Sequence, residues 1–74
     1  MLYTRSSFIK WLTDVKGCDI QPLGGNTLKV TNGIASGFIW ASNKDVIDYE
    51  EIYLLCNKIY IVGLPGDNDL IKVE

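Results

Sequence analysis

The chain has no histidine, and only two cysteines, two prolines, one methionine and one arginine in 74 residues. Each shortage closes off a class of chemistry. Histidine is the side chain whose ordinary pKa lies nearest neutrality and the commonest transition-metal ligand, so without it no Ser-His or Cys-His nucleophile pair can be built. Cys18 and Cys56 form no CxxC pair, which removes the usual zinc and dithiol spacings. Free buried thiols in an intracellular protein are the expectation for both. No run approaches the ~20 apolar residues that cross a bilayer. The opening "MLYTRSSFIKWL" also lacks the continuous apolar stretch and small-residue cleavage site of a secretory signal. The chain therefore reads as soluble and cytoplasmic, with no membrane association.

What is present suffices for a fold. With 47% hydrophobic and 22% charged residues, the chain can bury enough apolar surface to offset the entropy of ordering it. Its length allows a single domain, residues 1–74, with a small core. Net charge is only −2 but is unevenly placed. Arg5, Lys10, Lys16 and Lys29 outnumber Asp14 and Asp19 in the first 42 residues; Asp45, Asp48, Glu50, Glu51, Asp67, Asp69 and Glu74 outnumber Lys44, Lys58 and Lys72 in the rest.

Phe8, Trp11, Leu12 and Val15 recur at i, i+3, i+4 and i+7, the spacing of one helical face. Ser6 or Ser7 can cap this helix, and Gly17 can end it, which predicts a helix over residues 6–16. From Cys18 the period falls to two. "CDIQPL" and "NTLKVTN" alternate as strands around a "GGN" turn, with Pro22 suited to an edge. Asn32-Gly33 predicts a type I′ hairpin turn into a third strand, "IASGFIWAS", in which Gly37 implies a bulge or a close approach by another group. Asp48, with Glu51 in the capping-box position and Glu50 near the positive end of the helix dipole, starts a second helix. Its core face is Ile52, Leu55, Cys56 and Ile59. Tyr49, Tyr53 and Tyr60 lie beside that face, and Leu54 stands among polar neighbours. "KIYIVG" is rich in β-branched and aromatic residues, and Pro65-Gly66 suits the centre of a type II turn. The second helix is thus expected to end near Asn57, with residues 58–63 and 69–73 closing as a hairpin. The fold class is α+β in the order α-β-β-β-α-β-β, with an antiparallel sheet and both helices on one face.

The same order, helix, three strands, helix, over residues 6–57 resembles the double-stranded-RNA-binding-like fold of small HicA-type toxin ribonucleases. The resemblance is one of element order. In that family a histidine just after a glycine-rich turn is catalytic; here "GGNTLKV" carries Asn26 or Thr27 in its place, so the ribonuclease activity is not implied.

Carboxylate chemistry offers little more. Asp67 and Asp69 form a solvated turn or a weak divalent-cation site, and Glu50 and Glu51 are accounted for by helix capping. "PLGGN" matches neither GxxxxGK[ST] nor GxGxxG and leads into a strand, unlike a phosphate loop. The sequence implies no catalytic residue, cofactor or metal centre. The reading is a small non-enzymatic protein-interaction module, an inhibitor or adaptor of phage or mobile-element type, acting on a partner with a basic surface or on itself. Its contact residues are expected to be Tyr49, Glu50, Tyr53, Leu54 and Tyr60, with the open sheet face, through Phe38 and Trp40 or through Ile39 and Ala41, as the alternative surface. The competing class is an RNA- or DNA-binding domain using the basic N-terminal half, with exposed aromatics stacking on bases.

Overall fold

Thr4 opens the first helix, α1 (Arg5–Asp14), by accepting the Ser7 N–H on its side chain in a computed structural model that describes residues 1–40 and 44–73. The expected serine caps have other work. Ser6 donates its N–H and hydroxyl to the Asp45 carboxylate at 2.8 and 2.6 Å, so a second free N–H of the helix start is satisfied from a distant loop. Ser7 Oγ accepts the Ile71 N–H at 3.0 Å. The helix ends two residues short of the expected limit; Gly17 then turns the chain at φ +65°, and the Cys18 N–H closes onto the Leu12 carbonyl. Phe8, Trp11 and Leu12 are buried as their spacing requires, whereas Val15 lies past the last turn and is exposed.

Three antiparallel strands follow: β2 (Asp19–Leu23), β3 (Thr27–Asn32) and β4 (Ala35–Trp40), ordered β2-β3-β4. They are preceded in the chain by the two-residue β1 (Leu2–Tyr3). The β3–β4 turn is shifted by one residue from expectation. Asn32 pairs with Ala35, so Gly33 and Ile34 are the central positions, and of these only Gly33 has positive φ. That is the type II′ pattern, which asks for glycine at the first central position alone. Freed from the turn, Asn32 points inward and donates its side-chain amide to the Ile59 carbonyl at 2.8 Å.

The pairing Ile20–Val30–Gly37 and Leu28–Ile39 places these residues on the face that joins the core with Phe8, Trp11 and Leu12. Both helices pack on this side. Gly37 sits in unbroken register, without a bulge, and its missing side chain admits Leu55 and Ile59 of the second helix. Leu23, Lys29, Phe38 and Trp40 occupy the opposite, open face. Ala41 and Ser42, expected to end the third strand, lie outside the described residues.

The short strand β5 (Ile47–Asp48) pairs antiparallel with β1 and runs directly into α2 (Tyr49–Lys58), where Asp48 accepts the Glu50 N–H as expected of a cap. Ile52, Leu55, Cys56 and Ile59 are all buried.

The α+β class with antiparallel sheets and the α-β-β-β-α order are as the periodicity predicts, but the closing hairpin is not formed. Helix α2 continues to Lys58, and Tyr60 takes a left-handed conformation at φ +58°. The Ile61 N–H bonds the Cys56 carbonyl and the Tyr60 N–H bonds the Asn57 carbonyl, a Schellman closure. Residues 59–63 therefore turn the chain off the helix instead of extending, and Ile59 and Ile61 enter the core. Pro65-Gly66 does not form a type II turn either, since Gly66 lacks positive φ; the turn spans Gly66 to Asp69, closed by Asp69 N–H to Gly66 C=O. Residues 71–73 then pair with the N-terminal segment. Thr4 N–H donates to Ile71 C=O at 2.7 Å, Val73 N–H donates to Leu2 C=O at 3.1 Å, and Tyr3 and Lys72 form a bridge.

Candidate interaction surface

The tyrosines of the sequence do not act as one stripe. Tyr49 is half-buried, its ring 5.9 Å from that of Tyr3 and its hydroxyl donating to the Pro65 carbonyl at 2.8 Å. It holds the C-terminal segment in place. Tyr60 lies beyond the end of α2, is itself in the left-handed conformation, and is exposed. Tyr53 and Leu54 remain outward on α2, 47% and 59% exposed, and Glu50 is exposed near the helix start.

The acidic turn is likewise occupied by the fold. Asp67 accepts the Tyr3 hydroxyl and lies 3.6 Å from Lys72 Nζ. These contacts hold its carboxyl below the usual carboxylate range, the Tyr3 hydrogen bond first and the Lys72 charge second. The same bond, with burial, pushes the Tyr3 phenol up to about 12. Asp69 accepts the Gly66 N–H at 2.7 Å and so closes its own turn. Among the described residues no three Asp, Glu or Cys side chains gather in a metal-holding group, and no helix is long and apolar enough to cross a membrane. Cys18 and Cys56 are buried free thiols. Burial first, then the neighbouring Cys18, pushes Cys56 up to about 11, far from nucleophilic.

Lys16 and Lys29 of the basic N-terminal half lie on different sides of the molecule. Lys16 Nζ donates to the Val62 carbonyl at 2.7 Å and sits over the Trp11 ring on the helical side. Lys29 is across the sheet, opposite Phe38 on the open face.

One surface combines an unfinished sheet with exposed apolar side chains. The two edges of the β2-β3-β4 sheet differ in protection. The β2 edge carries Asp19 and Pro22, a charge and a missing donor, both of which discourage another strand. The β4 edge, "ASGFIW", has neither charge nor proline. On its open side Trp40 is 80% and Phe38 48% exposed. Between β4 and α2 runs a groove of about 600 Å³, walled by Leu23, Thr27, Phe38 and Trp40 on one side and by Glu51, Leu54 and Lys58 on the other. Leu54, alone of the five expected contact residues, lines it. Phe38 and Trp40 are legible as open-face candidates; Glu51 and Lys58, seven residues apart and flanking Leu54, have a readable spacing that the capping-box position of Glu51 masks. Leu23 and Thr27 join only through strand register, which no local pattern supplies.

Comparison of the chain with protein-family models, with curated proteins and with solved structures found no match in any of the three. The likeness to toxin ribonucleases thus rests on element order alone.

Proposed function

We propose that the chain is a protein-interaction module that docks through the β4 edge and the groove beside α2. The observation that carries this reading is the unguarded edge itself. A strand of six residues without charge or proline, carrying exposed Phe38 and Trp40 and lying beside exposed Leu54, is the kind of surface that soluble proteins protect unless something covers it. Backbone groups of the edge offer affinity, and the groove offers pockets for side chains. The aromatic anchors fit the residue types that dominate interface energetics.

The test is affinity capture from extract of the native host with the wild-type chain, Trp40→Ala with Leu54→Ala, and Val62→Ala as an exposed control. Chains retained by wild type and Val62→Ala but lost from the double variant support the groove. Equal retention by all three contradicts it.

A second reading has one specific observation behind it. Lys29 faces Phe38 across the open sheet with Trp40 two residues on, and aromatic side chains beside a cation can stack single-stranded bases. Binding of a generic oligonucleotide that falls steeply with salt and is lost in Phe38→Ala would favour it over the protein reading. No binding at low salt removes it.

A further inference from the structure

Resting on the interaction reading above, we infer that the partner seated in the groove is a second copy of this chain, related by a two-fold axis that passes between Leu54 and Leu55 of α2. The argument begins with the charge pattern along the wall of the groove. Glu51 and Lys58 are the charged residues of that wall, and both are exposed. They are seven residues apart, two helical turns, so they lie almost in line along the helix with Leu54 and Leu55 midway between them. Reversing the direction of such a stripe exchanges the acidic end for the basic one.

An isologous contact does this, since residue i meets j and j meets i across the axis. With the two α2 helices antiparallel, Glu51 of each copy faces Lys58 of the other, while exposed Leu54 lies next to the axis. The surface is complementary to itself. A basic partner would satisfy Glu51 and leave Lys58 opposed; an acidic partner would do the reverse.

The apolar area agrees with a modest dimer. Leu23, Phe38, Trp40 and Leu54, at 37%, 48%, 80% and 59% exposure, leave roughly 450 Å² of side chain open, taking a whole aromatic as about 150–250 Å². Two such patches with a rim that includes Thr27, Glu51 and Lys58 cover about 1,000 Å², the lower bound of specific interfaces. An interface at that limit belongs with weak, transient association, and a dissociation constant on the order of 10–100 μM is the expectation tested below.

Sedimentation equilibrium on the purified chain, from about 5 to about 500 μM, tests the inference. Wild type should pass from monomer to dimer over this range. Glu51→Lys places like charges opposite each other twice over, because the axis duplicates the change, and should weaken the dimer roughly tenfold; Lys58→Glu should do the same. The double variant Glu51→Lys with Lys58→Glu restores opposite charges across the axis and should return the dimer to within about threefold of wild type. That recovery also shows that the single variants had not simply misfolded. A chain that stays monomeric throughout overturns the second copy; other proteins captured through Trp40 and Leu54 would then leave the interaction reading standing, and none captured would remove both. A dimer indifferent to the single reversals, or not restored by the double one, overturns the axis between Leu54 and Leu55.

Discussion

Leu55 fills the space that a side chain at Gly37 would need: a Cβ there would lie 2.5 Å from Leu55 Cδ1 and 3.4 Å from Ile59 Cγ2. This contact sets the approach of α2 to β4 and so shapes the groove. Gly37→Ala should destabilise the fold by about 1 kcal/mol, because the end of Leu55 must move within a packed site, and Gly37→Val by up to about 3 kcal/mol. Leu55→Ala opens room, so the Gly37→Ala and Leu55→Ala effects should couple by at least ~0.5 kcal/mol in a double-mutant cycle read by urea denaturation. Strict additivity would contradict the packing.

The clasp between Tyr3 and Asp67 predicts a pH dependence with a definite sign. The Asp67 carboxyl is lowered in the folded chain, so its contribution is present above the ordinary carboxylate range and is lost as pH falls through the depressed value. The Tyr3 phenol is raised to about 12, so its contribution is present below the ordinary phenol value near 10 and is lost as pH rises from there through about 12. Thermal midpoints of wild type and Asp67→Asn should converge toward acid pH, and the late phenol ionisation seen by ultraviolet absorbance should vanish in Tyr3→Phe. Parallel acid limbs in wild type and variant would contradict the clasp.

Tyr60 occupies the left-handed position that ends helix α2, where glycine avoids the clash a Cβ creates. Tyr60→Gly should therefore stabilise the chain by about 0.5–1 kcal/mol after allowance for the greater freedom of glycine in the unfolded state. A measured loss of stability would mean that the exposed ring makes contacts worth more than the strain.

Cys56 is fully buried with its thiol pushed up to about 11, and Cys18 is buried and raised by desolvation. Neither should react with a water-soluble thiol reagent at neutral pH until the chain opens. Both should then be modified together at the unfolding rate. Fast reaction of either thiol in the native state would contradict the core.

The sequence made the central part of the fold readable because its signals were local. Helix faces at i, i+3, i+4 and i+7 placed Phe8, Trp11, Leu12, Ile52, Leu55 and Cys56 inside, and alternation set Val30 with Leu28 on one side of its strand. The structure departs from the sequence pattern where one residue type serves two purposes. The β-branched and aromatic run at 59–62 looks like a strand, yet Ile59 and Ile61 owe their apolar character to burial as the chain leaves a helix. Asn32 looks like a turn residue but donates to the carbonyl of Ile59, the residue just after α2, a contact 27 residues distant. The candidate surface was half legible. Leu54 declared itself as an apolar residue on a polar side, and strand alternation narrowed the aromatics to two sets. Which set faced outward depended on Gly37 receiving Leu55, a tertiary contact, and the tyrosine stripe dissolved once Tyr49 bonded Pro65 and Tyr60 turned left-handed.

The central claim, that protein covers the groove between β4 and α2, is tested most directly by placing a photoactivatable phenylalanine analogue at position 40 or, as an exposed control, at Val62, and irradiating the chain in cells of its native host. The account predicts protein adducts from position 40, including one at twice the mass of the chain, and few or none from position 62. Absence of protein adducts from position 40, or equal yields from both, would contradict it.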